Sequence, residues 1–261
     1  MAISKPYRVG EIYESCQQFS PFISQEAWDN SGLNVGSMDF QCERILVCLE
    51  ITHSIALALE PKTLIITHHP LFFRPIKDFI YESYPANLAQ ILIQKECCVI
   101  SLHTNFDKSH LNAYLTHKIL GFSHFIADAN ALMMHGNIEP LPLPDLAMMI
   151  KHRLNAPFVN YVQGDMQCAD KNQSSLISYV YVVCGSGCSL MSEIPLKLNA
   201  CLITADVKHH DAMIAKSMGI SLIDMGHYES EKYFVQIIDS LLQNAGYNAI
   251  IADCKNPFYF C

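Results

Sequence analysis

Histidine and carboxylate side chains follow apolar stretches at two separate places in this chain of 261 residues. In the first segment, one apolar stretch ends at His68 and His69, and the next ends at His103, with Asp107 four residues further on. Imidazole and carboxylate groups are common ligands of divalent transition metals in proteins. The residue types and their order therefore predict metal-binding chemistry.

The second segment repeats this order. One apolar stretch is followed by Lys208, His209 and His210, and after a predicted helix another ends at His227, with Glu231 four residues further on. Residues i and i+4 lie on one face of a helix, so His227 and Glu231 can reach a common ion. The repetition of one pattern at two equivalent places predicts an internal repeat and favours a functional interpretation over coincidence.

Ligands and catalytic groups of α/β folds collect at the carboxyl ends of parallel strands. If the two segments pack side by side, we therefore expect their histidines and carboxylates to face one crevice. Three histidines and two carboxylates exceed the needs of one tetrahedral ion, which predicts two ions about 4 Å apart. Nitrogen and oxygen donors suit Zn, Fe, Mn or Ni and do not choose among them.

Each of these features also has a simpler interpretation. Adjacent histidines at a strand end are often one buried, hydrogen-bonded ring and one exposed ring, and a His/Glu pair at i,i+4 also occurs as an ordinary helix contact. Residues 208–210 lie at the start of a predicted helix. A helix N-terminus suits binding of a substrate anion, but these residues could equally form an exposed helix face. From the residues alone, these alternatives stay open.

Three shorter motifs are weaker signals. Asp29 and Asn30 either orient a ligand or cap the turn that follows them. The loop 185–187, Gly-Ser-Gly, either cradles phosphate or, as we favour, forms a tight turn. Cys184 and Cys188 flank that loop, but no second cysteine pair completes a thiolate metal site.

Composition excludes several classes of protein. The net charge is −8 and the isoelectric point is about 5.8, which is unlike a nucleic-acid-binding protein. No segment approaches the roughly 20 apolar residues of a membrane span. The 11 cysteines contain no CxxC pair and lie mostly in apolar runs, which predicts reduced, buried thiols and a cytoplasmic location. Serine-hydrolase elbow, P-loop, dinucleotide-binding and HExxH motifs do not occur.

Alternation of apolar runs with helical periodicity predicts an α/β fold whose sheets are at least partly parallel. We expect a turn-rich loop at 28–36 and a proline-rich stretch from 137 that becomes helical before 150. The expected helices are 9–19, 51–59 with Thr52 as N-cap, 111–121 and 230–244. The expected strands outside the two repeated segments are 44–50, 159–162, 178–184 and 248–252.

Five motifs in this order resemble the NIF-three-like family, whose members are often labelled dinuclear-metal GTP cyclohydrolase I type 2 homologues. The resemblance runs from about Tyr7 to the C-terminus and covers nearly the whole chain. The motifs occupy residues 28–36, 67–71, 103–107, 206–210 and 226–231.

The resemblance implies a fold and an assembly. Two related α/β lobes, approximately 1–125 plus the C-terminal segment and 126–245, would pack across a central cleft that holds two divalent ions. The chain is too short for the inserted middle domain of longer members, so it resembles the compact form. The family's common assembly implies a toroidal homohexamer.

The resemblance also implies roles for individual residues, with either carboxylate of the ligand set bridging the ions. His103 would lie close to the ions, and His103 or Lys208 would move protons or hold an anionic substrate. The sequence departs from the family pattern at Glu50, where we expect aspartate. The implied metal ligands are His68, His69, Asp107, His227 and Glu231.

The function that follows is metal-dependent hydrolysis of a nucleotide or another phosphorylated small molecule, similar to a GTP cyclohydrolase. The fold does not establish the substrate, because function depends on the site. The alternative is a non-catalytic protein that binds or delivers metal, or a protein-interaction scaffold. Neither nucleic acid nor membrane is an expected partner.

Overall fold

The computed structural model describes residues 6–165, 176–195 and 199–259. The chain has the α/β fold that its sequence predicts, and it forms two compact units. Among the described residues, the first unit comprises 6–110 with 233–255, and the second comprises 111–232 with 256–259.

Most strands of the described residues are short, and several of them are entirely buried. In chain order they are β1 (Tyr7–Arg8), β2 (Gly32–Val35), β3 (Gln41–Cys42), β4 (Arg44–Cys48), β5 (Thr63–Thr67), β6 (Cys98–Ser101), β7 (Ile126–Ala127), β8 (Met134–Pro142), β9 (Asn160–Val162), β10 (Leu176–Val182), β11 (Ala200–Thr204), β12 (Ser221–Asp224) and β13 (Ala249–Ile251).

Helices connect most of these strands. They are α1 (Val9–Phe19), α2 (His53–Ala58), α3 (Ala86–Gln94), α4 (Thr104–Phe106), α5 (Asn112–Tyr114), α6 (Leu143–Leu154), α7 (His209–Met218), α8 (His227–Glu231) and α9 (Phe234–Asn244). Two π-helical segments, Asp107–Leu111 and Leu115–Ile119, alternate with α4 and α5. Short 3₁₀ turns occupy Phe22–Ser24 and Cys188–Glu193.

The first unit contains a five-stranded sheet in the order β13-β4-β5-β6-β2. The first four of these strands are parallel, and β2 is antiparallel to β6. Every residue of β5, Thr-Leu-Ile-Ile-Thr, is buried, as expected for a central strand rich in β-branched residues. Ala56 of α2 and Leu88 and Leu92 of α3 complete a core with Ile65. A central parallel sheet of this kind fixes where its strand ends lie.

The second unit contains a six-stranded sheet in the order β7-β8-β10-β11-β12-β9. Its three central strands, β10, β11 and β12, are parallel, and β8 and β9 pair with them in the antiparallel sense. Leu202 and Leu222 on adjacent strands pack with Ala215 of α7 in the core. Each unit therefore contains parallel strands whose carboxyl ends can present polar side chains.

Helix positions follow local signals. α1 buries Val9, Ile12 and Cys16 at helical spacing, and it ends where the chain reaches Pro21. The Thr52 side chain accepts a hydrogen bond from the amide of Ile55 at 3.2 Å, so the predicted N-cap is confirmed.

Four predicted boundaries are corrected. The expected loop at 28–36 contains β2, because its backbone pairs with β6. The helix predicted before residue 150 is confirmed and begins at Leu143, but the proline-rich stretch that precedes it is strand β8, which pairs with β10. The helix predicted at 230–244 is two helices, α8 and α9. The helix predicted from 111 to 121 is the end of a helical region that starts at Thr104.

The cysteines behave as small apolar side chains. Nine cysteines lie in the described residues, all carry free thiols, and eight of them are buried. Burial raises the pKa of Cys188 to about 12, which opposes the thiolate that a metal site with Cys184 would require. Among the described residues, no helix has the length and apolar character needed to cross a bilayer.

Candidate metal centre

The carboxyl ends of three adjacent parallel strands carry the polar groups of the first unit. Glu50 lies two residues after β4, His68 follows β5 directly, and His103 lies two residues after β6. Ends of neighbouring parallel strands meet at one edge of the sheet. His68, His69 and His103 therefore come together, with one ligand atom of each within 4.8 Å of the others.

The orientation of two of these rings is set by oxygen acceptors. The buried ring of His68 donates from Nδ1 to the carbonyl oxygen of Leu102 at 2.8 Å, which leaves Nε2 as its basic atom. His69 Nδ1 lies 3.1 Å from Oε2 of Glu50. Glutamate at position 50, the departure from the family pattern, thus still orients a candidate ligand.

His103 is held by Asp29. Its Nδ1 atom lies 2.8 Å from Oδ1 of the fully buried Asp29 side chain, which also accepts from the Thr104 amide at 3.0 Å and the Ser31 hydroxyl at 3.1 Å. Burial alone would raise the pKa of Asp29, but hydrogen bonds from His103 and Thr104 and the charge of His103 lower it well below its ordinary value. Asp29 also accepts from the Asn30 amide at 2.7 Å, so its carboxylate caps the turn and orients His103 at the same time. A metal-binding role for His103 stays a prediction.

Replacing Asp29 with asparagine is expected to destabilise the protein at pH 7 by about 1–3 kcal/mol, because hydrogen bonds to a buried charged group are lost. The lowered pKa means that folding favours the ionised carboxylate. The ionised carboxylate of Asp29 contributes fully to the free energy of unfolding above the unfolded pKa of about 4, and this contribution declines as pH falls below that value. Urea unfolding of both proteins at neutral and acidic pH measures this trend.

The control for that experiment is Asp39→Asn, because Asp39 is an exposed carboxylate that pairs with Arg8 at the surface. We expect its effect to stay below about 1 kcal/mol. A destabilisation by Asp29→Asn that was equal at both pH values would contradict the role of the carboxylate charge.

Asp107 approaches the cluster from the helical side. Its amide donates to the His103 carbonyl at 3.0 Å, so the turn between them is helical, as the four-residue offset requires. Its largely buried carboxylate places Oδ1 3.5 Å from Nε2 of His68. The first unit therefore combines three imidazoles and one carboxylate.

In the second unit, His227 lies between two carboxylates. Its Nδ1 is 2.7 Å from Oδ2 of Asp206, and its Nε2 is 2.9 Å from Oε2 of Glu231 across the i,i+4 offset of α8. Burial disfavours the charged ring, but the charge of Glu231 and hydrogen bonds to both carboxylates raise the pKa of His227 to about 11. The hydrogen bond from His227 in turn lowers the pKa of Asp206.

The loop 185–187 makes room for this arrangement. Gly185 has φ +59°, and a Cβ atom there would overlap Oε1 of Glu231 and lie 3.6 Å from the His227 ring. The Gly185 amide donates to the Ser230 hydroxyl at 3.0 Å, and the amide of Gly187 donates to the Thr204 hydroxyl at 2.8 Å. Both amides are therefore engaged by hydroxyls of the protein, which argues against a phosphate cradle built from them. The chain bends at residues 184–185, and the favoured tight turn stays a prediction.

Lys208, His209 and His210 are exposed where α7 begins. The Lys208 amide donates to the Asp211 carboxylate at 3.1 Å, which satisfies a backbone donor at the helix start. The exposed positions agree with both an anion-binding role and a plain helix face, so a substrate-binding role for Lys208 stays a prediction.

Sequence reasoning assigned no role to Asp206 and only a minor one to Glu50. Each lies two residues beyond a parallel strand, β11 and β4 respectively, and each accepts from the Nδ1 atom of a histidine. A carboxylate near a strand end is the signal that could have identified them.

The donor chemistry fits divalent transition metals. Of the four histidines at the strand ends, each has its Nδ1 atom against an oxygen of the protein, the arrangement typical of metal-binding imidazoles whose Nε2 is the ligand atom. Buried carboxylates accompany them in both units. The described side chains therefore form groups that could bind metal.

Comparison with known proteins adds independent information. A family model described as Duf34/NIF3 (NGG1p interacting factor 3) matches residues 7–257. The chain is 46% identical over 250 residues to a Helicobacter pylori (strain J99) protein named GTP cyclohydrolase 1 type 2, covering 95% of this chain and 97% of that protein. A Campylobacter jejuni protein named GTP cyclohydrolase 1 type 2 homolog is 36% identical over 253 residues, covering 97% and 99%.

Solved structures share the fold. A Staphylococcus aureus hypothetical protein superposes with a TM-score of 0.79 at 22% identity, covering 98% of this chain and 100% of that one. A Bacillus cereus protein related to NIF3 gives a TM-score of 0.77 at 16% identity, covering 99% and 100%.

Proposed function

This chain belongs to the DUF34/NIF3 family, and from that premise we propose that it is a hydrolase that depends on two divalent metal ions. The observation that carries the proposal is the common orientation of the histidines, each with Nδ1 against a protein oxygen. Zn, Fe, Mn and Ni all suit these donors. The proposed ligands are His68, His69 and Asp107 of the first unit and His227 and Glu231 of the second.

Bound divalent ions would lower the pKa of water and polarise the group that is attacked. The chain's own residues supply proton transfer and substrate binding. We assign proton transfer to Nε2 of His103, because Asp29 engages its Nδ1. We assign Lys208, exposed at the start of α7, to an anionic group of the substrate.

The substrate in this proposal is a nucleotide or another phosphorylated small molecule. Relatives that match nearly the whole chain are named GTP cyclohydrolase 1 type 2, which makes GTP the first candidate. A metal site compensates for the negative net charge of −8, which would otherwise repel an anionic substrate.

The decisive experiment screens the metal-loaded chain against GTP and a panel of phosphorylated metabolites. We expect turnover that His68→Ala and Glu231→Ala abolish and that His53→Ala, an exposed histidine on α2, retains. Turnover no higher than that of the two ligand variants, for every compound, would reject catalysis.

His103→Ala separates two roles for that residue. His103 shares the 4.8 Å cluster with His68 and His69, so it is also placed to act as a third imidazole ligand. Loss of turnover with unchanged metal content supports proton transfer, whereas loss of metal supports the ligand role.

Metal binding by His227 and Glu231 is expected to release protons and to strengthen as pH rises. The raised pKa of about 11 means that the metal-free ring is protonated at neutral pH, and a metal ion must displace that proton. Calorimetric titration in buffers of different ionisation enthalpy measures the release. Asp206→Asn removes one cause of the raised pKa of His227 and should reduce the number of protons released on metal binding. Identical heats in all buffers would show that no protons are released and would contradict this expectation.

The second candidate function is a non-catalytic metal-handling protein or interaction scaffold. It is favoured by the apolar side chains that the first unit exposes between Phe73 and Tyr84. A partner captured by the full chain and lost on metal removal, with no turnover, would support it. The homohexamer implied by the family resemblance is also a proposal, which the mass of the protein in solution tests.

A further inference from the structure

Two exposed aromatic rings stand beside His103. Trp28 is 58% exposed and Phe73 is 47% exposed. The centroid of the His103 ring lies 6.0 Å from that of Trp28 and 5.9 Å from that of Phe73, and the two aromatic rings are 5.7 Å apart. A single exposed apolar side chain is ordinary, but an exposed apolar patch rimmed by polar residues often marks a ligand-binding site.

Both rings are attached to fixed backbone. Trp28 directly precedes Asp29, whose buried carboxylate accepts hydrogen bonds from His103 and Thr104. The backbone next to Trp28 is therefore anchored. The side chain of Asn30 donates to the Phe72 carbonyl at 2.7 Å, which ties the segment of Trp28 to that of Phe73. The backbone segments that carry both rings are therefore tied to each other and to the neighbourhood of His103.

We propose that Trp28 and Phe73 form a stacking site for the planar heterocyclic ring of the substrate. The inference rests on the proposed function, since it places that ring beside His103 and the metal ligands. Stacking on an aromatic side chain accepts any base, because every base has a π-face. Guanosine, a nucleoside with such a ring and no phosphate, is therefore a suitable probe, and its sugar need not touch the two aromatic rings.

Trp28 is the only tryptophan of the chain, so its fluorescence reports on this site alone. We expect guanosine to change the fluorescence of the metal-loaded chain saturably, whereas ribose 5-phosphate, which has no ring to stack, does not. Phe73→Leu should weaken guanosine binding by about tenfold, the scale of one lost base-stacking contact. Tyr161→Leu, which removes an exposed ring of the second unit, should leave the affinity unchanged.

Other outcomes overturn the stacking site. It is rejected by the absence of a saturable change with guanosine, by equal affinity in Phe73→Leu, or by a change that depends only on protein concentration, which would indicate contact with a second copy. Guanosine binding without hydrolysis of any substrate keeps the stacking site and rejects the hydrolase. Hydrolysis with a KM that Phe73→Leu leaves unchanged keeps the hydrolase and rejects the stacking site.

Discussion

Replacing His68 with alanine is expected to lower the affinity of the first unit for a divalent ion more than about 100-fold, beyond the effect of losing a residue that only orients a ligand. The ring is fully buried, its Nδ1 is committed to the Leu102 carbonyl, and its Nε2 lies near Asp107. Metal analysis of the purified variant and calorimetric titration measure the change.

His53→Ala is the matched control, because it removes an exposed imidazole from the same unit. His68→Gln guards against misfolding, since its amide can still donate to the Leu102 carbonyl while the imidazole ligand is gone. A folded His68→Gln protein with parental metal affinity would show that His68 is a structural histidine, the simpler interpretation of the pair.

Replacing Gly185 with alanine is expected to weaken metal binding by His227 and Glu231 at least about tenfold. The added Cβ would overlap Oε1 of Glu231, and this carboxylate is buried and cannot move aside at low cost. The backbone at φ +59° adds a further cost of about 1 kcal/mol in stability. Calorimetric metal titration and urea unfolding measure the two effects separately.

Gly246→Ala is the control for backbone strain. Gly246 has φ +87°, but no atom lies within 4 Å of a Cβ built there. It should lose similar stability and keep its metal affinity. Equal metal affinities in the two glycine variants would refute the steric role of Gly185.

Much of the candidate site could be predicted because its determinants are local. The i,i+4 offset of His227 and Glu231 implies a contact as soon as the turn is helical, and the structure has that contact at 2.9 Å. The family resemblance drawn from the motifs is confirmed by the match over residues 7–257. Short-range spacing carries this information without knowledge of the fold.

The missed features depend on residues far apart in the chain. β2 is a strand because it pairs with β6, more than 60 residues later, and nothing in its turn-rich sequence indicates that partner. Asp29 binds His103 across 74 positions. Pairing of this kind depends on packing, which overrides local propensity.

By itself, the sequence determined the α/β class, the two apolar segments that end in histidines, and the family. Periodicity and spacing suffice for these, because they reflect the local geometry of helices and strands. Only the tertiary structure decided which oxygen engages each Nδ1 atom, that Gly185 must lack a side chain, and that Trp28 and Phe73 stand beside His103. Those relations depend on the ends of parallel strands meeting at one edge of a sheet, which brings distant residues together.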